Sequence, residues 1–254
     1  MVEATRMPLN TPTLCLVRAP ASSHPAHLAL LSAEEQARHR AFATEPLRAA
    51  FACAHALLRS LLSACLGQAP DAITLHKDGN GRPRLASRQA AKELDFNLSA
   101  SGPWIGCALS PEGRIGVDLE APGPRLEVHR LAPRVLSARE QEWLTRQPDQ
   151  RRAFCELWTL KEAIAKADGE GLGLDLQAFT AVPDGSGGLH LDLHALGAAH
   201  GWTLQQWSAP LPVTTALRDA EPSLRVVLLP PPTGLFEQVP AIERASGQIL
   251  SPGG

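Results

Sequence analysis

The sequence predicts a soluble α+β protein built from two similar lobes. Hydrophobic residues make up 44% and charged residues 20% of the 254-residue chain, the balance of a globular protein with a packed core. Amphipathic helical spacing alternates with short β-prone runs along most of the chain. A segment of the first half also echoes a segment of the second half. These three observations predict two mixed lobes of helices and strands.

The first half opens with a β-prone run after a proline-rich start. Ser32 and Glu35 form a capping box, which opens a helix that continues to about Phe42. A second helix, rich in Ala and Leu, is expected to end at Gly67. In chain order, the elements predicted for this half are a strand at 14–17, helices at 32–42 and 46–66, a strand at 73–76, and a strand pair at 95–98 and 104–109.

The second half repeats that order around one long helix, residues 154–168, which contains no Gly or Pro. Its apolar residues recur at spacings of three and four, so one face is predicted to be buried. Gly169 and Gly171 end it. The other elements predicted here are a strand at 115–120, a capped helix at 137–145, strands at 179–182, near 189, at 202–208, 213–217 and 224–229, and a turn at 185–188.

A weak internal repeat supports the division into lobes. The segment beginning at Leu31 recurs at Leu136, 105 residues later, and the long helical segments begin at Phe51 and Phe154, 103 residues apart. We therefore predict an N-terminal lobe at 1–112, a C-terminal lobe at 113–229 and an extended tail at 230–254. A seam between two such lobes is a natural cleft for a ligand.

Composition excludes several classes of function. The net charge of −2 provides no basic field for nucleic acid, and the N-terminus lacks a secretory pattern. We find no apolar run long enough to cross a bilayer, and therefore expect no membrane association and a cytoplasmic location. The five cysteines form no C-x-x-C pair and are odd in number, which predicts reduced thiols rather than disulfides or a zinc site.

Three acidic residues and one lysine form the candidate chemistry. Asp118 and Glu120 alternate on a strand and share a face, while Glu162 and Lys166 are four apart on the long helix. Carboxylate oxygens that leave room for water and phosphate suit Mg²⁺. The alternative is two exposed acids and an unrelated surface ion pair. Spacing alone leaves both interpretations open.

The chain resembles the Sfp-type 4′-phosphopantetheinyl transferases. The matching pieces occur in the family's order and spacing over about residues 30 to 185. The strongest signal is G-V-D-L-E at 116–120, followed about forty residues later by W-x-x-K-E-x-x-x-K at 158–166. The other matches are G-R-P at 81–83, F-N-L-S-A-S-G at 96–102 and G-L at 171–172.

This resemblance implies a fold and a reaction. The family has two pseudo-duplicated α/β lobes with the active site at their interface, and works as a monomer. It transfers the 4′-phosphopantetheine arm of coenzyme A, with Mg²⁺, to a serine of an acyl or peptidyl carrier protein, and releases 3′,5′-ADP. Such proteins prime fatty-acid, polyketide or nonribosomal peptide synthesis.

The resemblance also implies a role for each matching residue. Glu162 would be the base for the incoming serine, and Lys166 would neutralise charge on the leaving phosphate, which are positioning and electrostatic tasks. The metal ligands implied are Asp118, Glu120 and Glu162. The contacts to coenzyme A implied are Lys161 and Arg82 on its phosphates, with Ser99 and Arg38 near the 3′-phosphate.

Two positions depart from the family pattern. Ala100 stands where the family usually has histidine, and Ala50 where it often has arginine. Each lost charge-assisted contact would cost about 1.5–3 kcal/mol if nothing replaced it. Arg48 lies about 200° around the helix from position 50 and is a poor substitute. The second interpretation is therefore a weakened homologue that binds carrier proteins or nucleotides without turnover.

Overall fold

Contacts divide the protein into two compact units. The computed structural model describes residues 10–86, 94–169, 173–183, 189–192, 201–208, 210–220, 226–229, 235–238 and 248–250. Unit 1 comprises residues 1–111 and 227–240, and unit 2 comprises residues 112–226 and 241–254. Both units mix helices with β-sheets, so the predicted α+β class is confirmed.

Unit 1 packs one long helix against an antiparallel hairpin of its main sheet. Its elements are β1 (Thr13–Arg18), α1 (Pro25–Ala29), α2 (Ala33–Ala41), α3 (Glu45–Leu66), a one-turn 3-10 helix (Pro70–Ala72), β2 (Leu75–Lys77), β3 (Pro83–Leu85), β4 (Asp95–Ser101), β5 (Trp104–Ser110), β11 (Val227–Leu229) and β12 (Glu237–Gln238). The strand order is β11-β1-β5-β4, with β12 also paired to β1, and β2 and β3 form a separate hairpin.

Helix α3 is the core helix of unit 1. It is also long and apolar enough to cross a membrane by length and composition, with a mean hydropathy of 1.6 over its best window, so the expectation that no such run exists is wrong. However, 56% of that window is buried within the protein. Leu57, Leu58 and Leu62 are completely buried in the main apolar cluster of this unit. Their burial is what a core helix of a globular unit requires.

Unit 2 packs its long helix on the main sheet as well. Its elements are β6 (Arg114–Leu119), α4 (Val128–Val135), α5 (Ala138–Thr145), α6 (Gln150–Asp168), a one-turn 3-10 helix (Leu176–Ala178), β7 (Thr180–Pro183), β8 (Leu189–Asp192), β9 (Thr203–Trp207), β10 (Val213–Arg218) and β13 (Gln248–Leu250). The strand order is β13-β9-β10-β6, and β7 and β8 form a separate hairpin.

The predicted helix boundaries are largely confirmed. Ser32 and Ser137 both accept a hydrogen bond from the backbone three residues on, and the glutamate there bonds back, so both capping boxes are present. Helices α3 and α6 end at Gly67 and Gly169, which have φ values of 66° and 87°, a conformation that glycine adopts without strain. Helices α1 and α4 were not predicted. The expected turn at 185–188 and the G-L pair at 171–172 lie outside the described residues.

The internal repeat is visible in the topology of each unit. In unit 1, β1 pairs with β5 and β5 with β4, all antiparallel. In unit 2, β6 pairs with β10 and β10 with β9 in the same sense. In unit 1 a capped helix, a long helix, a 3-10 turn and a two-stranded hairpin lie between β1 and the pair β4 and β5. The same elements lie between β6 and the pair β9 and β10 in unit 2. The order strand, short helix, long helix, strands is therefore confirmed for both halves.

The segment after Pro230 was predicted to be an extended tail. Of its described residues, 237–238 and 248–250 are extended and pair with existing sheets, whereas 235 and 236 form a turn and a bend. Strand β12 runs antiparallel to β1, and β13 runs antiparallel to β9. The C-terminal segment thus supplies one strand to each unit.

Candidate active site

The site in unit 2 begins with an unusually close approach of α6 to β6. A Cβ atom added to Gly116 would lie 2.0 Å from the carbonyl oxygen of Ala163 and 2.6 Å from the backbone nitrogen of Ala167. Small residues on both elements allow the helix backbone to lie directly on the strand. Because side chains alternate along a strand, Asp118 lies on the same face as Gly116, and Glu120 follows one residue after the end of β6. The glycine therefore brings the acidic face of β6 against the helix.

Lys166 of α6 meets Asp118 of β6. Its Nζ donates to Oδ1 of Asp118 over 2.6 Å and to the backbone oxygen of Val117 over 3.1 Å. The Asp118 side chain is 8% exposed and that of Lys166 is 27% exposed. This ion pair is consequently largely shielded from water, but the lysine retains an open side.

The carboxyl of Glu162 lies within electrostatic range of Asp118 and Lys166. Burial raises the pKa of its carboxyl above the usual range, the charge of Asp118 raises it further, and Lys166 lowers it in part. The carboxylates of Asp118 and Glu162 and the ammonium of Lys166 therefore interact where α6 lies on β6. The arrangement favours a cation near the two carboxylates.

Glu120 comes one residue after the end of β6. Burial raises the pKa of the Cys155 thiol to about 12, and the charge of Glu120 adds to that rise. Among the described residues, no group of three His, Cys, Asp or Glu side chains is close enough together to hold a metal ion. Asp118 is the acid whose charge acts on Glu162, whereas Glu120 lies beyond the end of β6.

A buried polar network fixes the helix to the sheet next to these acids. Thr214 of β10 lies opposite Asp118 in the strand register, and its hydroxyl meets that of Thr159 of α6 over 3.0 Å. Gln206 of β9 donates to the Thr214 hydroxyl over 3.0 Å and to the backbone oxygen of Glu156 over 2.8 Å. Hydrogen bonds between α6 and two strands restrict sliding of the helix that carries Glu162 and Lys166.

Lys161 does not fit the phosphate role that the resemblance implies. Its side chain is 0% exposed and its ammonium lies 2.9 Å from Oε2 of the equally buried Glu140. The same ammonium donates to the backbone oxygens of Leu176 at 2.5 Å and Phe179 at 2.7 Å. Three acceptors match the three N–H donors of an ammonium, so none remains for a phosphate. We therefore correct this assignment: Lys161 is a buried structural cation.

Unit 1 contains a pocket, called the basic pocket below, whose lining has more basic than acidic side chains. Its volume is about 110 Å³, and its charged lining residues are Arg38, Arg59 and Lys77 against Glu34 and Glu35. Arg38 is exposed in the last turn of α2, and its guanidinium lies 5.5 Å from the ring centre of Phe51. An exposed arginine above a small basic pocket is suited to an anion.

The other two predicted coenzyme A contacts lie elsewhere in unit 1. Arg82 donates to Oδ2 of Asp95 over 2.7 Å and to the backbone oxygen of Phe96 over 2.8 Å, and its side chain is 9% exposed. Ser99 is half-buried on β4, paired with Gly106 of β5. Neither residue lines the 110 Å³ pocket beside Arg38.

Sequence reasoning missed the buried ion pairs that follow the capping boxes. In unit 1, Glu35 accepts from Nε of Arg59 over 2.6 Å, and Arg59 also donates to the backbone oxygens of Pro70 and Ile73. In unit 2, Glu140 pairs with Lys161, and Lys161 also donates to the backbone oxygens of Leu176 and Phe179. A basic residue on each long helix, 24 and 21 residues after the capping-box glutamate, was the signal available in the sequence.

Two family models match this chain. The profile of the 4′-phosphopantetheinyl transferase superfamily matches residues 114–216, and that of the 4′-phosphopantetheinyl transferase N-terminal region matches residues 19–112. The two matched ranges contain the site residues of unit 2 and the basic pocket of unit 1.

Two curated relatives extend the match. The 4′-phosphopantetheinyl transferase HetI of Nostoc sp. is 37% identical over 146 residues, which are 57% of this chain and 62% of that protein. The 4′-phosphopantetheinyl transferase of Bacillus subtilis is 30% identical over 168 residues, covering 65% of this chain and 72% of the relative.

A solved structure, the holo-[acyl-carrier-protein] synthase of Thermotoga maritima, aligns with a TM-score of 0.36 at 19% identity, covering 43% of this chain and 65% of that one. A score this low adds nothing to the assignment. The two matched profiles and the extent of the Bacillus subtilis match are sufficient. The chain belongs to the 4′-phosphopantetheinyl transferase superfamily.

Proposed function

We propose that this protein transfers the 4′-phosphopantetheine arm of coenzyme A to a serine of an acyl or peptidyl carrier protein, with Mg²⁺. The serine oxygen forms a bond to the β-phosphorus, the bond from that phosphorus to the bridging oxygen breaks, and 3′,5′-ADP leaves. The observation that carries the proposal is the ion pair of Lys166 and Asp118 where α6 lies on β6, with Glu162 within electrostatic range of both. The names of the relatives supply the reaction class.

Glu162 is the proposed base. Burial and the neighbouring Asp118 raise the pKa of its carboxyl, which improves its ability to accept the serine proton at neutral pH. Lys166 is the proposed partner of the leaving phosphate. Its flexible stem and partly exposed ammonium can reach an anion beside the carboxylates.

The donor set fits Mg²⁺. The ion is typically held by one or two carboxylates, water and substrate phosphates, and hard oxygen ligands are what Asp118 and Glu162 provide. Glu120, two residues after Asp118 in the sequence, is the proposed third ligand. When bound, the metal would supply positive charge to the diphosphate.

We propose that the nucleotide of coenzyme A lies on unit 1. Arg38 beside the basic pocket is the proposed contact to the 3′-phosphate, together with Ser99. Arg82 remains a proposed phosphate contact, because a guanidinium has five donors and can pair with Asp95 while it donates elsewhere. Lys161 is no longer part of this set.

Mass spectrometry of intact carrier proteins tests the reaction. The protein is incubated with Mg²⁺, coenzyme A and several apo carrier proteins, and an active transferase serves as the positive control. We expect at least one carrier to gain the mass of phosphopantetheine. If every carrier is modified by the control enzyme and none by this protein, the proposal is wrong. We also propose a cytoplasmic location and a monomeric state. Gel filtration of the same sample tests the monomer.

The alternative is a binding protein without turnover. It is favoured by the lost cation at Ala50, which packs against the core cluster of unit 1, and by Arg48, which is paired with Glu45 and the backbone oxygen of Phe42. Calorimetry with coenzyme A and dephospho-coenzyme A separates the two. Equal affinity for both compounds, with no carrier modified, would support the binding role.

A further inference from the structure

Helix α6 is attached to the sheet of unit 2 by two polar contacts on one side of the helix. The hydroxyl of Thr159 lies 3.0 Å from that of Thr214 on β10. About two turns later, Nζ of Lys166 lies 2.6 Å from Oδ1 of Asp118 on β6. Thr214 and Asp118 are directly opposite each other in the strand register. Glu162 lies between the two attached residues of α6, so its position over the sheet depends on both contacts.

The first of these contacts is part of a closed ring of hydrogen bonds. Nε2 of Gln206 donates to the Thr214 hydroxyl over 3.0 Å and to the backbone oxygen of Glu156 over 2.8 Å. The Thr159 hydroxyl donates to the same backbone oxygen over 3.1 Å. Thr159 uses its own proton for that bond, so the proton between the two hydroxyls comes from Thr214. The ring therefore has one consistent direction, and it joins α6 to β9 and β10.

The ring is enclosed by the protein. Thr159 and Thr214 are both 0% exposed, so water does not replace a hydrogen bond that is lost there. The apolar contacts under α6 supply attraction without direction, because the hydrophobic effect is non-directional. A slide or rotation of α6 would break several buried hydrogen bonds at once. The ring consequently selects one register of the helix on the sheet.

We propose that Thr214 is a positioning residue for the transfer: through the ring it fixes α6 in the register that holds Glu162 in place relative to Asp118. The side chains of the ring have no chemical role of their own in this assignment and act only through α6. This inference rests on the proposed function, because it gives the fixed register a part in that reaction. Loss of the ring should lower kcat rather than weaken coenzyme A binding, since the proposed nucleotide contacts belong to unit 1.

Steady-state kinetics of carrier modification by Thr214→Val tests this role. Valine has a similar volume but no hydroxyl, so we expect kcat to fall about 10- to 100-fold and KM for coenzyme A to stay within about twofold. Thr214→Ser keeps the hydroxyl and should recover most of the lost rate. Thr215→Val is the matched control, because Thr215 is equally buried on the opposite face of β10 and its hydroxyl donates to the backbone oxygen of Gln205. It should keep the natural kcat.

Hydrogen exchange of α6 supplies a measurement that needs neither coenzyme A nor a carrier. The backbone amides of residues 157–166 should exchange faster in Thr214→Val than in the natural protein, Thr214→Ser or Thr215→Val. The melting temperatures of Thr214→Val and Thr215→Val are compared in the same buffer. This comparison separates a general loss of stability from a loosening of α6 alone.

A natural kcat in Thr214→Val, an equal fall in Thr215→Val, or no recovery in Thr214→Ser would overturn the positioning role. If Thr214→Val does not fold, Gln206→Met breaks the ring at β9 and is measured in its place. Failure of the proposed function is a separate result, because it is an unmodified carrier with the natural protein. In that case the exchange measurement decides: faster exchange in Thr214→Val alone supports the hold of the ring on α6, and unchanged exchange refutes it.

Discussion

Both units contain the same buried ion pair, but its surroundings differ. In each, the glutamate of a capping box pairs with a cation of the long helix, and that cation also donates to two backbone oxygens after the helix. In unit 1, Glu35 has a second basic partner, His55, and lines the basic pocket. In unit 2, Glu140 and Lys161 are both 0% exposed.

The electrostatics follow from these surroundings. Burial tends to raise the pKa of Glu35, but hydrogen bonds from His55, Arg59 and the Ser32 backbone outweigh it and bring the value to about 2. Burial raises the pKa of Glu140, and Lys161 offsets that rise in part. The same frame therefore holds a strongly acidic carboxylate beside a pocket in one unit and a dry structural pair in the other.

The first strands differ in a second way. In β1 of unit 1, residues 14–17 are Leu, Cys, Leu and Val, all buried. In β6 of unit 2, the strand in the same topological position carries Gly116 and Asp118. A repeat that serves as a purely apolar layer in one unit holds the candidate chemistry in the other. The comparison shows that two units of similar topology differ in a few side chains of the first strand, and the proposed chemistry depends on that difference.

Asp118→Asn gives the largest expected effect. We expect transfer to the carrier to fall by about 10²–10³-fold, because an amide is a poor metal ligand and no longer compensates Lys166. The initial rate of carrier modification measures it. Glu142→Gln, an exposed acid of α5, is the matched control and should retain the natural rate. Unchanged turnover in Asp118→Asn would show that this residue has no role in the reaction. The proposed functional difference between β6 and β1 would then be wrong.

Substitution of the two buried cations tests the paired frame itself. Lys161→Met should lower the free energy of unfolding by about 3–5 kcal/mol, since Glu140 keeps no charged partner. Arg59→Met should cost less, about 1–3 kcal/mol, because His55 and the Ser32 backbone still bond to Glu35. Denaturant unfolding measures both. Equal losses would show that the surroundings of the two glutamates are energetically alike.

Gly116→Ala tests the close approach of α6 to β6. The added Cβ would overlap backbone atoms of Ala163, so strand or helix must shift, at a cost of about 2–3 kcal/mol. Transfer should fall as well, because Asp118 moves relative to Glu162. Gly79→Ala, where a Cβ meets no atom within 4 Å, should change stability by less than about 0.5 kcal/mol. A stable and active Gly116→Ala would contradict the tight packing.

The smallest effect is a difference in acid sensitivity. The folded pKa of Glu35 is about 2 against an ordinary 4.5, so its contribution is present above pH 4.5 and is lost as the pH falls toward 2. Glu140 has the opposite sign: its raised folded pKa makes ionisation unfavourable to folding as the pH rises above 4.5. Stability measured between pH 3 and pH 7 should decline less steeply in acid for Glu35→Gln, and more steeply for Glu140→Gln. Parallel curves for both variants would refute the contrast.

Local signals in the sequence determined most of the helical frame and the identity of the candidate acids. A capping box, an apolar spacing of three and four, and a terminal glycine act within one turn of the chain, so they predicted α2, α3, α5 and α6. Alternation along a strand predicted that Asp118 and Glu120 share a face, but β6 ends at Leu119 and leaves Glu120 outside it.

The tertiary structure decided which charged residues face solvent and which are enclosed. Lys161 and Glu162 are adjacent in the sequence, yet one is sealed against Glu140 and the other lies beside Asp118. The strands after Pro230 and the closeness permitted by Gly116 depend likewise on partners far along the chain. Burial is a property of packing between distant segments, and it sets whether a lysine is enclosed, as Lys161 is, or partly exposed, as Lys166 is.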